Sequence, residues 1–261
     1  MGTFQHAHSM LLSNRLSSGS KQRVTALEKE SKLMKPKIEL YGDGIGAVEY
    51  VEHMGSDLTV VNSARVSFGK HKKDLDDADK KLIKYLIRHQ HTSTLEHNLI
   101  TFRFCVPLFV RSQHHRHRTW SYNEISRRYT DVDLKLYEPK VFRTQHKSNR
   151  QASNSDDLIN PVLSCGSDCD EMVALHHQTS LDLFNRMIEA GVCREQARGV
   201  LPQNLYTEYY GTVNLSNLLK FIDLRTHEGA QWEIQKVAQA CLDIAEQFYP
   251  VTVAAWRTNH T

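Results

Sequence analysis

The most informative stretch of this sequence is Arg116-His117-Arg118-Thr119-Trp120-Ser121-Tyr122-Asn123-Glu124-Ile125-Ser126-Arg127-Arg128-Tyr129. Four arginines and one histidine occur here with three aromatic residues, and Ile125 is the one aliphatic residue of the kind that builds cores. Arginine presents a planar fork that matches phosphate or carboxylate groups, and it stacks on flat rings. The stretch therefore suits a ligand that is anionic at one end and aromatic at the other, as nucleotides and dinucleotide cofactors are.

Composition narrows the class of protein. The 261 residues permit one large domain or two small ones, and a hydrophobic fraction of 40% is ordinary for a globular protein. A net charge of +3 is too small to argue for a nucleic-acid partner. No apolar run is long enough to cross a bilayer and no signal-peptide pattern occurs, so we expect a cytoplasmic protein without a membrane partner. The five cysteines are an odd number and indicate reduced, intracellular thiols rather than a disulfide framework.

The chain is expected to consist of a leader followed by one domain. Residues 1–36 are polar and rich in Ser and Lys, and we predict that they are disordered. Residues 37–261 are predicted to form a single catalytic domain. Within it, residues 143–169 are dominated by Gln, Asn, Ser, Asp and Gly and exceed the usual length of a connection, which predicts a loop insertion.

Residue periodicity predicts the secondary structure. Alternation of apolar and polar residues predicts a strand over 98–106, with shorter strands over 37–41 and 48–53. Helices are predicted over 58–66, 74–88, 108–115, 171–190, 194–201, 215–224 and 230–248, with Pro250 as the final stop. Strands concentrate before residue 140 and helices after it. This order predicts an α+β fold, with an antiparallel sheet, packed helices and a helical C-terminal third.

The quoted stretch also fills a family pattern. Flavin-dependent thymidylate synthases share Arg-His-Arg, two residues, Ser, one residue, Asn-Glu, one residue, Ser, one residue, Arg-Tyr, and this chain matches all nine fixed positions. The chain resembles this family over roughly residues 37–256. The resemblance implies a methyltransferase that converts dUMP to dTMP, with 5,10-methylenetetrahydrofolate as carbon donor, FAD as redox carrier and NADPH as reductant. It also implies a homotetramer whose sites are shared between subunits.

The resemblance assigns a set of residues to the dUMP site. Arg198 belongs to a second matching segment, and Arg225 to a third, Leu-Arg, four residues, Ala-Gln, one residue, Glu-Ile, at residues 224–234. In the family that arginine activates the pyrimidine, so Arg225 is the expected catalytic residue. It follows an apolar helix, so we expect a partly buried side chain that needs an anionic partner. The full expected dUMP set is Gln113, Arg116, Glu124, Ile125, Ser126, Arg127, Arg128, Arg198 and Arg225.

An FAD site is also implied by the resemblance. Residues 91–97 match a family segment that lies beside the flavin. Ser216 and Lys220 stand where some relatives have Arg and Asn, and Gly229 stands where some have His. No cysteine falls in a matched motif, in agreement with a family that uses no enzymic thiol. The full expected FAD set is His91, Ser93, Arg116, His117, Arg118, Glu124, Asn214, Ser216 and Lys220.

Two other classes of protein remain open from the residues alone. A nucleic-acid-binding module would explain the arginines and aromatic residues of the quoted stretch, but not Arg198 and Arg225 far downstream. A metalloenzyme would explain the three histidines and the glutamate of residues 89–97, but not the arginines. These histidines lack the i, i+4 spacing of a zinc-binding helix, and no nearby cysteine pair completes a zinc set. We therefore expect no metal.

Overall fold

The fold is built on one antiparallel sheet. The computed structural model describes residues 36–130 and 133–260, so the predicted leader, apart from Pro36, lies outside the described residues. The strands are β1 (Lys37–Glu39), β2 (Ala47–Met54), β3 (Leu99–Pro107), β4 (Ser121–Glu124), β5 (Phe142–Gln145), β6 (Ser153–Ile159) and β7 (Tyr206–Asn214). Five of them form the main sheet in the order β1-β2-β3-β7-β4, and every neighbouring pair is antiparallel. The remaining two strands, β5 and β6, pair as a separate hairpin.

Eight helices accompany the sheets in the described ranges. They are α1 (Asp57–Arg65), α2 (Asp77–Arg88), α3 (Leu108–His114), α4 (Cys169–Glu189), α5 (Arg194–Ala197), α6 (Leu215–Thr226), α7 (Trp232–Phe248) and α8 (Pro250–His260). From α6 onward the described chain is almost wholly helical, so the predicted α+β fold with a helical C-terminal region is confirmed. None of these helices is long and apolar enough to cross a membrane.

One face of the main sheet carries the core. Strand β3 alternates as its sequence predicts, because Ile100, Phe102, Phe104 and Val106 are buried, whereas the intervening Arg103 is only half-buried. Apolar side chains of α6, α7 and α8 complete the same core, and α8 also packs on α2. The opposite face of the sheet is polar. The helical layer therefore fixes the position of α6, whose last turn carries the predicted catalytic arginine.

Most predicted helices occur close to their predicted bounds, and their ends have the expected chemistry. Asp76 caps α2, accepting a hydrogen bond from the backbone N–H of Asp79 at 2.9 Å. Gly191 follows α4 in the left-handed conformation, with φ of 86°, that its place after a helix predicts. Helix α3 begins directly after Pro107, and Arg116 lies just beyond its C-terminal end, as expected.

Strand β7 contradicts the prediction that strands concentrate before residue 140. It lies inside the main sheet, between β3 and β4. The sequence of residues 206–214 is otherwise typical of a strand. Gly211 weakens that pattern, because glycine is depleted in strands. A Cβ at this position would lie 2.9 Å from the ring of Phe104 and 3.2 Å from that of Trp120. The residue that weakens the strand pattern is thus the residue that lets these two rings pack against the strand.

Residues 143–169, predicted to be a loop insertion, are not an irregular loop over their whole length. Strands β5 and β6 form a hairpin within it, and Thr144 Oγ1 donates to Asp157 at 2.6 Å across the two strands. Strand β6 is largely exposed and β5 is only half-buried, so the polar composition of this hairpin does not differ from that of a loop. Pro250 is also predicted to end the last helix, but a further helix begins there. Proline is well tolerated in the first turn of a helix, and Pro250 begins α8 directly after α7 has ended.

Candidate functional site

The quoted arginine-rich stretch has two structural parts. It starts in the turn after α3 and continues as β4, which pairs with β7. Two of its three aromatic rings belong to the core: Trp120 is buried, with its ring centroid 4.5 Å from that of His114 and 5.4 Å from that of Phe221. The hydroxyl of Tyr122 donates to the carbonyl oxygens of His114 and His117 at 3.0 and 3.2 Å. These rings therefore hold the turn in place, and the polar side chains form its exposed chemistry.

A cavity of about 460 Å³ brings together five of the residues predicted to bind dUMP. Four of them are consecutive at the end of β4, and the fifth, Arg198, begins the short turn that follows α5. Leu201 and Leu205 give the cavity an apolar side, and Arg111 adds a further cation. We name this site the arginine cavity. Its predicted members are Glu124, Ile125, Ser126, Arg127 and Arg198.

Glu124 is held as a hydrogen-bond acceptor in the wall of the arginine cavity. Arg111 donates to both of its carboxylate oxygens, at 3.0 Å from Nε and 2.9 Å from Nη2, and Thr207 Oγ1 donates at 2.7 Å. This bidentate geometry is the strong form of an arginine–carboxylate pair. Arg111 already neutralises the charge of Glu124. The charge of the exposed Arg198 is therefore available to an anionic ligand.

Arg127, which lines the arginine cavity, and Arg128 are consecutive residues that are both predicted to bind dUMP. Arg127 is half-buried, and its Nη2 donates to the carbonyl oxygen of Tyr206 at 3.3 Å. Burial lowers the pKa of Arg127, but an arginine remains charged in proteins. Arg128 is exposed and forms an ion pair with Glu195 at 3.4 Å. The two consecutive arginines therefore differ: Arg127 is anchored to the strand, and Arg128 reaches toward solvent.

The predicted catalytic residue Arg225 lies at a different place. It occupies the last turn of α6 and is half-buried, as expected. Its Nε donates to Nε2 of His117 at 3.0 Å, and its Nη2 donates to the backbone carbonyl of Gln113 at 3.4 Å. Neither acceptor is an anion, and no ion pair of Arg225 occurs among the described residues, so the expected anionic partner is not supplied by these contacts. We name Gln113, His117 and Arg225 the Arg225 cluster.

Histidine ionisation fits this arrangement. Burial, followed by the charge of Arg225, lowers the pKa of His117 from 6.5 to about 4. The ring is therefore neutral near pH 7, and its Nε2 accepts the hydrogen bond from Arg225. His114 is completely buried, with Nδ1 2.8 Å from the hydroxyl of Tyr209, and burial holds its pKa well below the usual value. Burial also lowers the pKa of Arg225.

A second cavity, of about 370 Å³, collects three of the residues predicted to bind FAD. They are His91, Ser216 and Lys220, and Leu219 and Trp256 add an apolar wall. Ser216 is only 2% exposed, and its Oγ has no hydrogen-bond partner in the described parts of the chain. A buried hydroxyl without a partner is costly, so this group fits a ligand that enters the cavity. We name this site the Ser216 cavity.

The other residues predicted to bind FAD are spread around these sites. Ser93 lines a neighbouring cavity of about 890 Å³, which it shares with His91. Asn214 caps α6, where its side-chain oxygen accepts from the backbone N–H of Asn217 at 2.9 Å. Arg116 and Arg118 are exposed on the turn after α3. One chain thus brings only part of the predicted FAD set into a single cavity.

Arg111, Thr207 and Gln231 contact predicted site residues without having been predicted themselves. Arg111 and Thr207 hold Glu124, and Gln231 accepts a hydrogen bond from the side chain of Gln113. Gln231 is part of the signature at residues 224–234, which was a usable signal. Arg111 and Thr207 reach Glu124 only because α3 and β7 meet at the end of β4, and no local pattern indicates that meeting.

Thiols and metal ligands do not form a site in the described residues. All five cysteines are free; burial raises the pKa of Cys105 to about 11 and that of Cys241 well above its usual value. A nucleophilic cysteine needs a lowered pKa, so neither is prepared as a thiolate. In residues 36–130 and 133–260, no group of three or more His, Cys, Asp and Glu side chains is placed to hold a metal ion.

Known proteins resemble this chain in sequence and in structure. A family described as thymidylate synthase complementing protein matches residues 49–251. A flavin-dependent thymidylate synthase of Thermus thermophilus is 41% identical over 214 residues, which cover 82% of this chain and 76% of that protein. One of Thermotoga neapolitana is 40% identical over 214 residues, covering 81% and 90%. The crystal structure of the UMP/dUMP methylase PolB from Streptomyces cacaoi, bound with 5-Br dUMP, superposes with a TM-score of 0.71 at 32% identity, over 85% of this chain and 97% of that one.

Proposed function

Because this chain belongs to the flavin-dependent thymidylate synthase family, we propose that its domain at residues 37–261 converts dUMP to dTMP. The methylene carbon would come from 5,10-methylenetetrahydrofolate and the reducing equivalents from NADPH. Carbon 5 of the uracil loses its proton and gains a methyl group, and the folate nitrogens gain the two protons that replace the methylene. The third hydrogen of the methyl group is a hydride that originates from NADPH. When bound, FAD would supply the redox chemistry that passes reducing equivalents from NADPH to the new methyl group.

The arginine cavity is the observation that carries the nucleotide part of this proposal. Arg198 lies more than seventy residues beyond Glu124 in the chain, and yet both line one cavity with Ser126 and Arg127. The guanidinium and hydroxyl groups of the lining suit a 5′-phosphate, and its leucines suit a flat ring or a sugar. This side-chain set would bind dUMP, with Arg128 adding charge from the rim.

The Arg225 cluster would act on the uracil. Carbon 5 becomes nucleophilic when negative charge is favoured on the ring at N3 and its carbonyl oxygens, and a fixed cation supplies that stabilisation. Arg225 already has two nitrogens held by His117 and by the carbonyl of Gln113. Its guanidinium is therefore oriented before any ligand is present, with its remaining N–H groups for the pyrimidine. Gln113 and Arg116 would contact the same nucleotide.

The Ser216 cavity has the residues to hold part of FAD. The orphan hydroxyl of Ser216 offers a hydrogen bond beside the apolar side chains of Leu219 and Trp256, and the exposed Lys220 offers a cation for a phosphate. Ser216 and Lys220 differ from the residues of some relatives in type but not in polarity. His91 and Ser93 would extend the site along α2. The other members of the proposed FAD set are Arg116, His117, Arg118, Glu124 and Asn214.

A homotetramer with shared sites is part of the proposal. The lining of the arginine cavity includes neither Gln113 nor Arg225, although all belong to one predicted dUMP set. A nucleotide that touches both groups needs them to be brought together. A second copy of the chain would supply the missing half, as the family resemblance implies.

The proposed function can be tested directly on the purified protein, by flavin binding and by dTMP formation. After incubation with FAD and dialysis, the protein should retain a flavin absorbance, and it should form dTMP from dUMP only when both methylenetetrahydrofolate and NADPH are added. Reactions that lack one co-substrate are the controls. A folded protein that retains no flavin after incubation with excess FAD, or forms no dTMP in the complete mixture, would contradict the proposal.

A further inference from the structure

A chain of hydrogen bonds connects the β5–β6 hairpin to the Arg225 cluster. Arg143, in β5, donates from Nη2 to both carboxylate oxygens of Glu233, at 2.7 and 2.9 Å. Glu233 is 4% exposed and also accepts from Nε2 of Gln231 at 2.9 Å. Gln231 accepts in turn from Nε2 of Gln113, and the backbone carbonyl of Gln113 accepts from Arg225. We name these residues the amide relay.

The carboxylate of Glu233 sets the direction of every hydrogen bond in the amide relay. An ionised carboxylate can only accept, so Gln231 must turn its NH₂ group toward Glu233. Its carbonyl oxygen then faces Gln113, which must answer with its own NH₂ group. As a result, the side-chain oxygen of Gln113 points away from the relay. Without this fixed direction, the Gln113 amide has two orientations of similar hydrogen-bonding capacity.

Arg143 is the residue that orients the carboxylate of Glu233. Tyr137 donates a further hydrogen bond to Glu233 at 3.3 Å, but Arg143 is its ion-pair partner. A buried carboxylate that loses its cation is strongly destabilised. The arginine is itself fixed, because its Nε donates to Ser153 Oγ in β6 at 3.0 Å. The hairpin thus delivers a rigid cation to the beginning of the relay.

We propose that Arg143 and Glu233 are positioning residues for the dUMP site, acting through Gln231 on the amide of Gln113 and, through its carbonyl, on Arg225. The inference rests on the proposed function, because it assigns Gln113 and Arg225 to the nucleotide. It gives the β5–β6 hairpin a role in catalysis that acts through other residues of the site. Small displacements of groups that position a reacting molecule are expensive, and they cost up to about a hundredfold in rate.

The chain contains a matched control for Arg143. The guanidinium of Arg143 and the ammonium of Lys236 both lie 5.1 Å from the centroid of the Trp232 ring. Of these two cations, only Arg143 forms an ion pair with Glu233 in the part of the chain that the structure describes. Lys236→Ala therefore removes a cation from the same tryptophan and leaves the amide relay intact. Any effect of Arg143 that arises from packing on Trp232 should be reproduced by Lys236→Ala.

Steady-state kinetics of FAD-loaded protein would test the proposal. Arg143→Ala and Glu233→Gln should each lower kcat/KM for dUMP by about tenfold to a hundredfold, because Gln113 loses its fixed orientation. FAD affinity and oligomeric state should not change, and Lys236→Ala should match the wild type. Arg143→Lys should recover part of the loss, since it restores a cation beside Glu233. If Arg143→Ala and Lys236→Ala have equal kcat/KM, the proposal is wrong.

A double-mutant cycle separates the relay from a general loss of stability. Gln231→Met breaks the relay in its middle and leaves the ion pair of Arg143 and Glu233 in place. If the effect travels along the relay, the Arg143→Ala and Gln231→Met double variant should be no worse than the worse single variant. Effects that multiply would show that Arg143 acts by another route and would overturn the proposal. A wild-type protein that forms no dTMP would instead refute the proposed function, before any variant is compared.

Discussion

The arginine cavity and the Arg225 cluster both present guanidinium groups, but they hold them in opposite ways. Arg198 is exposed at the start of a short turn, and Arg128 beside it pairs with an exposed Glu195. Arg225 is half-buried at the end of a core helix, with two nitrogens fixed by neighbouring acceptors. An exposed side chain must be ordered when a ligand binds, whereas a fixed donor is already oriented when charge develops.

This difference indicates a division of roles. Exposed cations around an apolar pocket are suited to capture an anion, and their contribution should be felt equally in the ground state and the transition state. A guanidinium with fixed geometry and no anionic partner is suited to charge that exists only during the reaction. The arginine cavity should therefore determine the KM for dUMP, and Arg225 should determine kcat.

Removing Arg225 is the change with the largest expected effect. Loss of one preorganised donor costs on the order of a hundred- to a thousandfold in kcat, and Arg225→Ala should show that loss while FAD stays bound. Arg225→Lys should recover little, because a point charge cannot hold both His117 and the carbonyl of Gln113 while facing the ring. Steady-state kinetics measures both variants. A near-normal kcat with a raised KM would move Arg225 from catalysis to binding.

Removing Arg198 tests the role of the arginine cavity, as removing Arg225 tests that of the Arg225 cluster. Arg198→Ala should raise the KM for dUMP roughly tenfold to a hundredfold, the worth of a charge-assisted hydrogen bond, with little change in kcat. The exposed Arg186 of α4 lies outside the arginine cavity, so Arg186→Ala is a matched control for the loss of one surface cation. A large fall in kcat for Arg198→Ala, with KM unchanged, would remove the proposed division of roles.

Acid should destabilise the folded chain through His117 of the Arg225 cluster. The pKa of His117 is about 4 in the folded chain and 6.5 ordinarily, so the unfolded chain binds the extra proton first. Stability should therefore fall as the pH drops from about 6.5 to about 4. His117→Gln keeps an acceptor for Arg225 without a titrating group, so its melting temperature should fall less over this range. Equal slopes of melting temperature against pH for both proteins would contradict this account.

The smallest effect is expected from the cysteines, which belong to neither region. Cys105, Cys165, Cys169 and Cys193 should tolerate replacement by Ser without loss of dTMP formation. The completely buried Cys241 should be replaced by Ala, because a serine hydroxyl would lack a partner there. If one such change abolished activity in a folded, FAD-loaded protein, a thiol would have to enter the mechanism.

The sequence predicted the helices and the alternating strand β3 well, because each has a local pattern. Strand β7 could not be predicted because it contains Gly211. A glycine is needed there to leave room for the rings of Phe104 and Trp120, which are distant in the chain. The hairpin β5–β6 has the composition of a loop because neither strand has a fully buried face. The predictions that failed therefore concern strands that depend on tertiary contacts or that lack a hydrophobic face.

For the site, the sequence predicted residue types but not their grouping. The motif places Glu124 to Arg127 together by adjacency, and the addition of Arg198 depends on the fold. The role of Trp120 as a core residue was hidden, since an aromatic residue among arginines has the same sequence appearance at a surface and in a core. The ties of Arg225 to His117 and Gln113 needed α3 and α6 to meet. Which residues contact dUMP and FAD stays a prediction.

The most direct test of the account is whether the two regions form one dUMP site across subunits. Arg225→Ala and Arg198→Glu chains, co-expressed with different affinity tags, would be isolated as mixed oligomers through both tags in turn. Each variant alone should be nearly inactive at low dUMP. In a shared arrangement about one quarter of the sites, the product of two halves, should combine an intact Arg225 with an intact Arg198, and activity should return to about that fraction. Mixed oligomers no more active than the two parent variants would contradict the shared site.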